Sequence, residues 1–202
     1  MIAFVWSYAA RCKVGRGQMQ ASAGVAPATA DAAIGMAGTV LVLGGARSGK
    51  SSFAERVVGT WPAPWTYVAT ARIHDAEMRD RVAHHRATRL LGWRTVEEPV
   101  DIAPVLDGAG ARPVLVDCLT LWLTNLLLDG HDVAAATGGL LSALRRRAGP
   151  TVLVGNEVGL GIVPDNALAR RFRDEAGLLH QAIAREAGRV VFMVAGLPME
   201  MK

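Results

Sequence analysis

The chain has few cysteines and no long hydrophobic run. Its two cysteines, Cys12 and Cys118, lie far apart among 202 residues, which argues against a disulfide framework or a cysteine-based metal site and favours a reduced, cytoplasmic setting. The apolar stretch 2–10 is too short for a membrane span, which needs about 20 residues. Because Arg11 and Lys13 follow that stretch rather than precede it, we do not expect a secretory signal either.

The chain also lacks a block of like charge. Its net charge is +4, and the basic residues are spread along the sequence apart from one run at 145–147, which we expect at a solvated helix end. Nucleic-acid binding is therefore not expected, since a small anionic substrate accounts for the excess equally well. Hydrophobic residues make up 51% of the sequence, which is enough apolar material for one well-buried domain.

The first 38 residues differ in composition from the rest. Positions 15–35 are rich in Ala and Gly without a clear period, so we expect residues 1–38 to be a flexible N-terminal extension. Met36 is the expected biological start, which would make the preceding stretch an over-extended reading frame. Residues 39–202 are expected to form a single domain.

A glycine-rich segment after residue 43 is the most informative part of the sequence. It matches the phosphate-binding loop pattern at every fixed position, with an apolar strand before it at 39–43 and a helix after it at 52–58. The glycines let successive N–H groups converge on phosphate oxygens at a helix N-terminus. The lysine is expected to reach the outer phosphates and the final serine to contact Mg²⁺. The loop consists of Gly44, Gly45, Ala46, Arg47, Ser48, Gly49, Lys50 and Ser51.

Short apolar runs alternate with helical patterns along the rest of the chain. Strands are predicted at 39–43, 65–69, around Thr95, and at 113–117, 151–155 and 189–195, and helices at 75–89, 119–128, 133–148 and 166–187. This alternation predicts an α/β fold of the phosphate-loop NTPase type, with a mostly parallel sheet and helices on both faces. The phosphate loop, Thr70, Asp117 and Asn156 would then meet at the carboxyl ends of the strands, where such folds bind ligands.

Three further features depend on that arrangement. Asp117 closes a hydrophobic strand and is the expected acidic partner of the loop at a Mg²⁺ site. His84 and His85 are either structural histidines, or one of them is a nucleophile toward a triphosphate, with Arg86 and Arg89 neutralising phosphate charge. The segment 155–164 either faces the substrate or is a plain connection with a helix cap at Asp165 or Asn166.

Together these segments resemble the bifunctional adenosylcobinamide kinase / adenosylcobinamide-phosphate guanylyltransferase family of cobalamin biosynthesis. The resemblance covers nearly all of residues 39–202. It rests on GGARSGKS (44–51), YVATA (67–71), EMRDRVAHHR (77–86), WRTVEEP (93–99), DCLTLWLTNLL (117–127), NEVGLGIVP (156–164) and LARRFRDEAGLLHQ (168–181).

The resemblance implies two reactions: phosphorylation of adenosylcobinamide by ATP or GTP, then transfer of GMP from GTP through a guanylyl-histidine to give adenosylcobinamide-GDP. It implies His85 as the guanylylated residue, Lys50 as a catalytic residue and a trimeric assembly. Asp117 is a departure, because relatives often have glutamate there. Besides the loop, the implied nucleotide contacts are Ala69, Thr70, Ala71, Arg86, Ala87, Thr88, Arg89, Glu97 and Asp117.

Two other functions remain as alternatives. The chain could be a monofunctional phosphate-loop kinase in which both histidines are structural. A nucleotide-driven switch is the other alternative, although neither an Asn-Lys-x-Asp motif nor a catalytic-water glutamine is evident.

Overall fold

A seven-stranded sheet forms the centre of the molecule in the computed structural model, which describes residues 38–72 and 91–202. The strand order is β3-β2-β4-β5-β1-β6-β7, and all neighbours are parallel except β7, which runs antiparallel to β6. The strands are β1 (Thr39–Gly44), β2 (Trp65–Ala69), β3 (Trp93–Glu97), β4 (Val114–Asp117), β5 (Thr151–Asn156), β6 (Arg189–Val194) and β7 (Leu197–Glu200).

Helices cover both faces of this sheet, as the sequence predicted. One face packs against α1 (Lys50–Val58), and the other packs against α2 (Ile102–Gly108), α3 (Leu119–Leu128), α4 (Val133–Arg146) and α5 (Ala167–Glu186). Alternate residues of the central strands serve the two cores: Val40 and Val42 face α1, whereas Leu41 faces the other helices. Among the described residues no helix is both long and apolar enough to cross a membrane.

Six strands and four helices lie where the sequence predicts them. The predicted helix at 75–89 and nearly all of the predicted extension at 1–38 lie outside the described residues. Within the part of the chain that the structure describes, two elements were missed, β7 and α2. β7 is four residues long, carries Pro198 and is exposed at every position, so it lacks the buried apolar pattern of a central strand. α2 spans seven residues and contains Pro104, which is too short for a helical period to show.

The run of three arginines at the end of α4 has two different environments. Arg145 and Arg146 are exposed and pair with Glu186 and Asp107, as expected of a solvated helix end. Arg147 is partly buried and donates to the Leu106 carbonyl at 2.6 Å, the Arg112 carbonyl at 2.6 Å and the Thr151 hydroxyl at 2.7 Å. It therefore joins the end of α2 to the segments that enter β4 and β5, at the amino edge of the sheet.

Candidate nucleotide site at the carboxyl edge of the sheet

The loop between β1 and α1 has the backbone shape that its glycines predict. Gly44 has a φ of +150°, and a Cβ there would lie 2.6 Å from the Met193 carbonyl oxygen of the neighbouring strand β6. Gly49 has a φ of +92° and is the N-cap of α1. The turn after β6 also supports the loop, because the Gly196 N–H donates to the Ser48 carbonyl at 3.1 Å.

Lys50 is buried within this loop. Its Nζ donates to the Gly45 carbonyl at 2.6 Å. Burial lowers the pKa of Lys50, while the charge of Asp117 acts in the opposite direction. β1 and β4 both pair with β5, with Gly44 in register with Asn156 and Asp117 in register with Val154. The loop and the acid therefore lie at the same edge of the sheet, on the two sides of β5.

Asp117 is held by a residue to which the sequence analysis gave no role. The Tyr67 hydroxyl donates to Asp117 Oδ2 at 3.1 Å, and the Tyr67 ring packs edge-on against Trp93 at 5.9 Å between ring centroids. The next residue, Cys118, is a buried free thiol, and burial raises its pKa to about 11. Cys118 is therefore protonated at neutral pH and packs as a small apolar residue.

The oxygen donors around the loop suit Mg²⁺ when the phosphate oxygens of a nucleotide complete its coordination. Ser51 and Asp117 supply a hydroxyl and a carboxylate, which are the hard oxygen ligands that Mg²⁺ prefers. Within residues 38–72 and 91–202, no group of three His, Cys, Asp or Glu residues is arranged to hold a metal ion. One carboxylate completed by phosphate oxygens and water is the usual Mg²⁺ arrangement in nucleotide enzymes.

The segment that follows β2 is fixed by buried hydrogen bonds. The Thr70 hydroxyl donates to the Cys118 carbonyl at 2.7 Å and accepts from the Cys118 N–H at 2.8 Å. The Asn125 side-chain amide on α3 donates to the Thr70 carbonyl at 2.8 Å and to the Pro99 carbonyl at 2.9 Å. Thr70 thus holds the carboxyl ends of β2 and β4 together, and Asn125 holds those of β2 and β3. A contact from Thr70 to nucleotide stays a prediction.

Some of the other predicted contacts lie at the edge of the sheet, and the rest lie outside the described residues. Ala69 pairs with both Asp117 and Glu97, so the ends of β2, β3 and β4 are level. Ala71 is partly exposed just beyond that edge. Six predicted residues lie outside the described residues: His84, His85, Arg86, Ala87, Thr88 and Arg89.

The end of β5 lies between the loop and the acid. Glu157 N–H donates to the Gly44 carbonyl at 3.0 Å, and Asn156 N–H donates to the Thr120 hydroxyl at 2.7 Å. His180 on α5 is buried behind this end, and a Cβ at Gly155 would lie 2.7 Å from its Nε2. Burial lowers the pKa of His180, opposed by the charge of Glu157.

A family sequence model described as cobinamide kinase / cobinamide phosphate guanyltransferase matches residues 40–201. The chain belongs to this family. The match spans the complete sheet and its helices, and it confirms the resemblance seen in the sequence motifs.

Relatives within the cobinamide kinase / guanyltransferase family are similar over nearly their whole length. A bifunctional adenosylcobalamin biosynthesis protein CobP of Pseudomonas aeruginosa is 52% identical over 166 residues, which are 80% of this chain and 96% of that protein. A bifunctional adenosylcobalamin biosynthesis protein CobU of Salmonella typhimurium is 41% identical over 180 residues, covering 81% of this chain and 99% of that protein.

Two solved structures show a distant likeness. An ATPase from the type III secretion system of pathogenic bacteria has a TM-score of 0.48 at 12% identity, covering 83% of this chain and 57% of that one. The flagellar accessory protein FlaH from Methanocaldococcus jannaschii has a TM-score of 0.47 at 10% identity, covering 83% of this chain and 79% of that one.

Tyr67, Asn125 and His180 are the site residues that the sequence analysis did not single out. Asn125 could have been identified from the sequence, since it is a polar residue within the apolar run of α3, and the structure shows it buried. Tyr67 and His180 left no signal that a single sequence can show, because each acts on a residue distant in the chain.

Proposed function

We propose that this protein catalyses two successive reactions of cobalamin biosynthesis on one chain. It phosphorylates the hydroxyl of the aminopropanol arm of adenosylcobinamide, then transfers GMP from GTP to the product, giving adenosylcobinamide-GDP. The observation that carries the proposal is the convergence of the Lys50 loop and Asp117 at one sheet edge, where β1 and β4 flank β5, in a chain of this family.

The phosphoryl transfer uses the loop. The substrate hydroxyl oxygen attacks the γ-phosphorus of ATP or GTP, and the bond to the β-phosphate oxygen breaks to release the nucleoside diphosphate. Lys50 and the loop N–H groups offset the charge that builds on the outer phosphates. Mg²⁺, bound by Ser51, Asp117 and phosphate oxygens, would supply further charge neutralisation.

The guanylyl transfer uses a covalent intermediate. We propose that a neutral imidazole nitrogen of His85 attacks the α-phosphorus of GTP and expels pyrophosphate. A phosphate oxygen of adenosylcobinamide phosphate then attacks the guanylyl phosphorus and releases the histidine. Arg86, Ala87, Thr88 and Arg89, with Ala69, Thr70, Ala71 and Glu97, are the proposed further nucleotide contacts. A homotrimer is proposed on the same family resemblance, and a cytoplasmic location is proposed from the two widely separated cysteines.

Incubation with α-labelled GTP and Mg²⁺ tests the second reaction. The wild-type protein should take up an acid-labile, base-stable label, and His85→Asn should take up none. His84→Asn is the matched control and should label normally, because it removes the adjacent imidazole only. If the wild type stays unlabelled yet phosphorylates a small alcohol, the chain is a monofunctional kinase.

A further inference from the structure

The loop that leaves β5 exposes large apolar side chains at the edge of the candidate site. Leu160 is 83% exposed, Ile162 96% and Val163 60%. These three residues fall within four positions of the sequence, so exposed apolar side chains are concentrated in one short loop. We refer to residues 159–164 as the apolar loop.

The apolar loop is held in place at both ends. At its start, the Glu157 carboxylate accepts a hydrogen bond from the Gly159 N–H at 2.5 Å. At its end, the Arg170 guanidinium donates to the Pro164 carbonyl at 3.0 Å and the Asp165 carbonyl at 2.7 Å. The structure thus fixes both ends of a loop whose apolar side chains face solvent, and a preorganised surface loses less entropy when a ligand covers it.

The position of the apolar loop relative to the phosphate loop suggests its occupant. Glu157 N–H is bonded to the Gly44 carbonyl, so the apolar loop begins directly beside the first residue of the phosphate loop. A substrate that approaches the outer phosphate from this side would have the rest of its body beside the apolar loop. A nucleotide bound by its phosphates has no comparable apolar body to place there.

We propose that the apolar loop is the platform for the corrin ring of the substrate. The proposal rests on the proposed function, whose substrate is a large macrocycle with methyl groups on its periphery and uncharged amide arms. Leu160, Ile162 and Val163 supply apolar contact for the ring, while the aminopropanol arm extends toward the phosphate loop.

Equilibrium dialysis with cobinamide, which absorbs visible light, tests this proposal without any turnover. Ile162→Ser and Leu160→Ser should each raise the Kd for cobinamide about tenfold or more, because the burial of one large aliphatic side chain corresponds to that change in affinity. Leu178→Ser on α5 is the matched control, since Leu178 is 61% exposed but lies far along α5 from the loop. It should bind cobinamide as the wild type does.

Two further measurements, GTP labelling and light scattering, distinguish this proposal from its alternatives. Labelling with α-labelled GTP needs no corrinoid, so Ile162→Ser should be labelled like the wild type. If the wild type is not labelled, the proposed function is contradicted, but the Kd values for cobinamide still test the apolar loop. An unchanged Kd in both loop variants overturns the proposal. A fall in molecular mass by light scattering, at unchanged Kd, would assign the apolar loop to contact with a second copy of the chain instead.

Discussion

The two edges of the central sheet differ in what their buried or partly buried charged side chains contact. At the amino edge, Arg147 donates to two backbone carbonyls and one hydroxyl, all within the protein. At the carboxyl edge, Lys50 and Asp117 are brought into one electrostatic site by the loop and by Tyr67. A partly buried arginine with internal partners stabilises the fold, whereas a lysine and an acid grouped beside a glycine-rich loop are available to a ligand.

The amino edge therefore contributes to stability, and the carboxyl edge contributes to ligand binding and catalysis. Variants at the carboxyl edge should therefore lose activity while remaining folded. Variants at the amino edge should lose stability while keeping nucleotide affinity. Asn125 lies at the carboxyl edge but is buried like Arg147, so it is the residue at which the two effects should coincide.

The largest expected effect is at Lys50. Lys50→Ala should lower both phosphoryl transfer and GTP labelling by about a hundredfold to a thousandfold, because charge that builds on the phosphates goes unmet. Thermal unfolding should show no loss of stability, since the variant also removes a buried charge. Lys202→Ala, which removes an exposed lysine bonded to the Ala184 carbonyl, is the control and should be fully active. Full activity in Lys50→Ala would rule out the assigned role of the loop.

Arg147 should show the opposite behaviour. Arg147→Met keeps the apolar stem but leaves three acceptors without their donor, so the free energy of unfolding should fall by about 3 kcal/mol. Urea denaturation measures this change, with Arg146→Met as a control that removes only an exposed ion pair. The Kd for a fluorescent GTP analogue should not change. If the Arg147→Met protein is folded but binds GTP more weakly, the amino edge also affects nucleotide binding, which contradicts the proposed difference between the two edges.

Asn125 should combine a smaller loss of stability with a loss of affinity. Asn125→Leu leaves the Thr70 and Pro99 carbonyls without a donor, at a cost of about 2 kcal/mol. Because those carbonyls follow β2 and β3, the KM for GTP in the labelling reaction should rise more than the maximal rate falls. Thr124→Val is the adjacent control, since the Thr124 hydroxyl donates only within α3, to the Thr120 carbonyl at 3.0 Å. Unchanged KM in Asn125→Leu would make Asn125 purely structural.

The smallest effect is the pH dependence that His180 contributes to stability. Burial holds the folded pKa of His180 below the ordinary value of 6.5, so the unfolded chain binds more protons on acidification. His180 should therefore reduce stability as pH falls below 6.5 and have no such effect above it. His180→Gln should flatten this part of the profile in urea denaturation at a series of pH values. Exposed His131→Asn is the control, and a profile unchanged in His180→Gln would contradict the assignment.

The sequence predicted those elements whose signal is local. Strands β1, β2, β4, β5 and β6 carry buried apolar runs, and the loop 44–51 is a continuous motif whose glycines fix its own backbone. β7 could not be predicted, because it depends on pairing with β6 rather than on an apolar pattern. Asn125 bonds to carbonyls 26 and 55 residues away, and Tyr67 reaches an acid 50 residues away. Such contacts exist only once the fold has brought the strand ends together.

The support of the phosphate loop by the turn after β6 has a consequence for synthesis of the chain. β1 pairs with β5 and β6, and Ser48 accepts its hydrogen bond from Gly196, so the loop is made early but its supports are made last. Contacts this distant in sequence form only after a long stretch of chain has closed on itself. A ribosome-bound chain that ends before β6 would thus carry the phosphate-loop motif without a formed nucleotide site. Competence to bind nucleotide would then arise only after β6 and the turn that follows it have been synthesised.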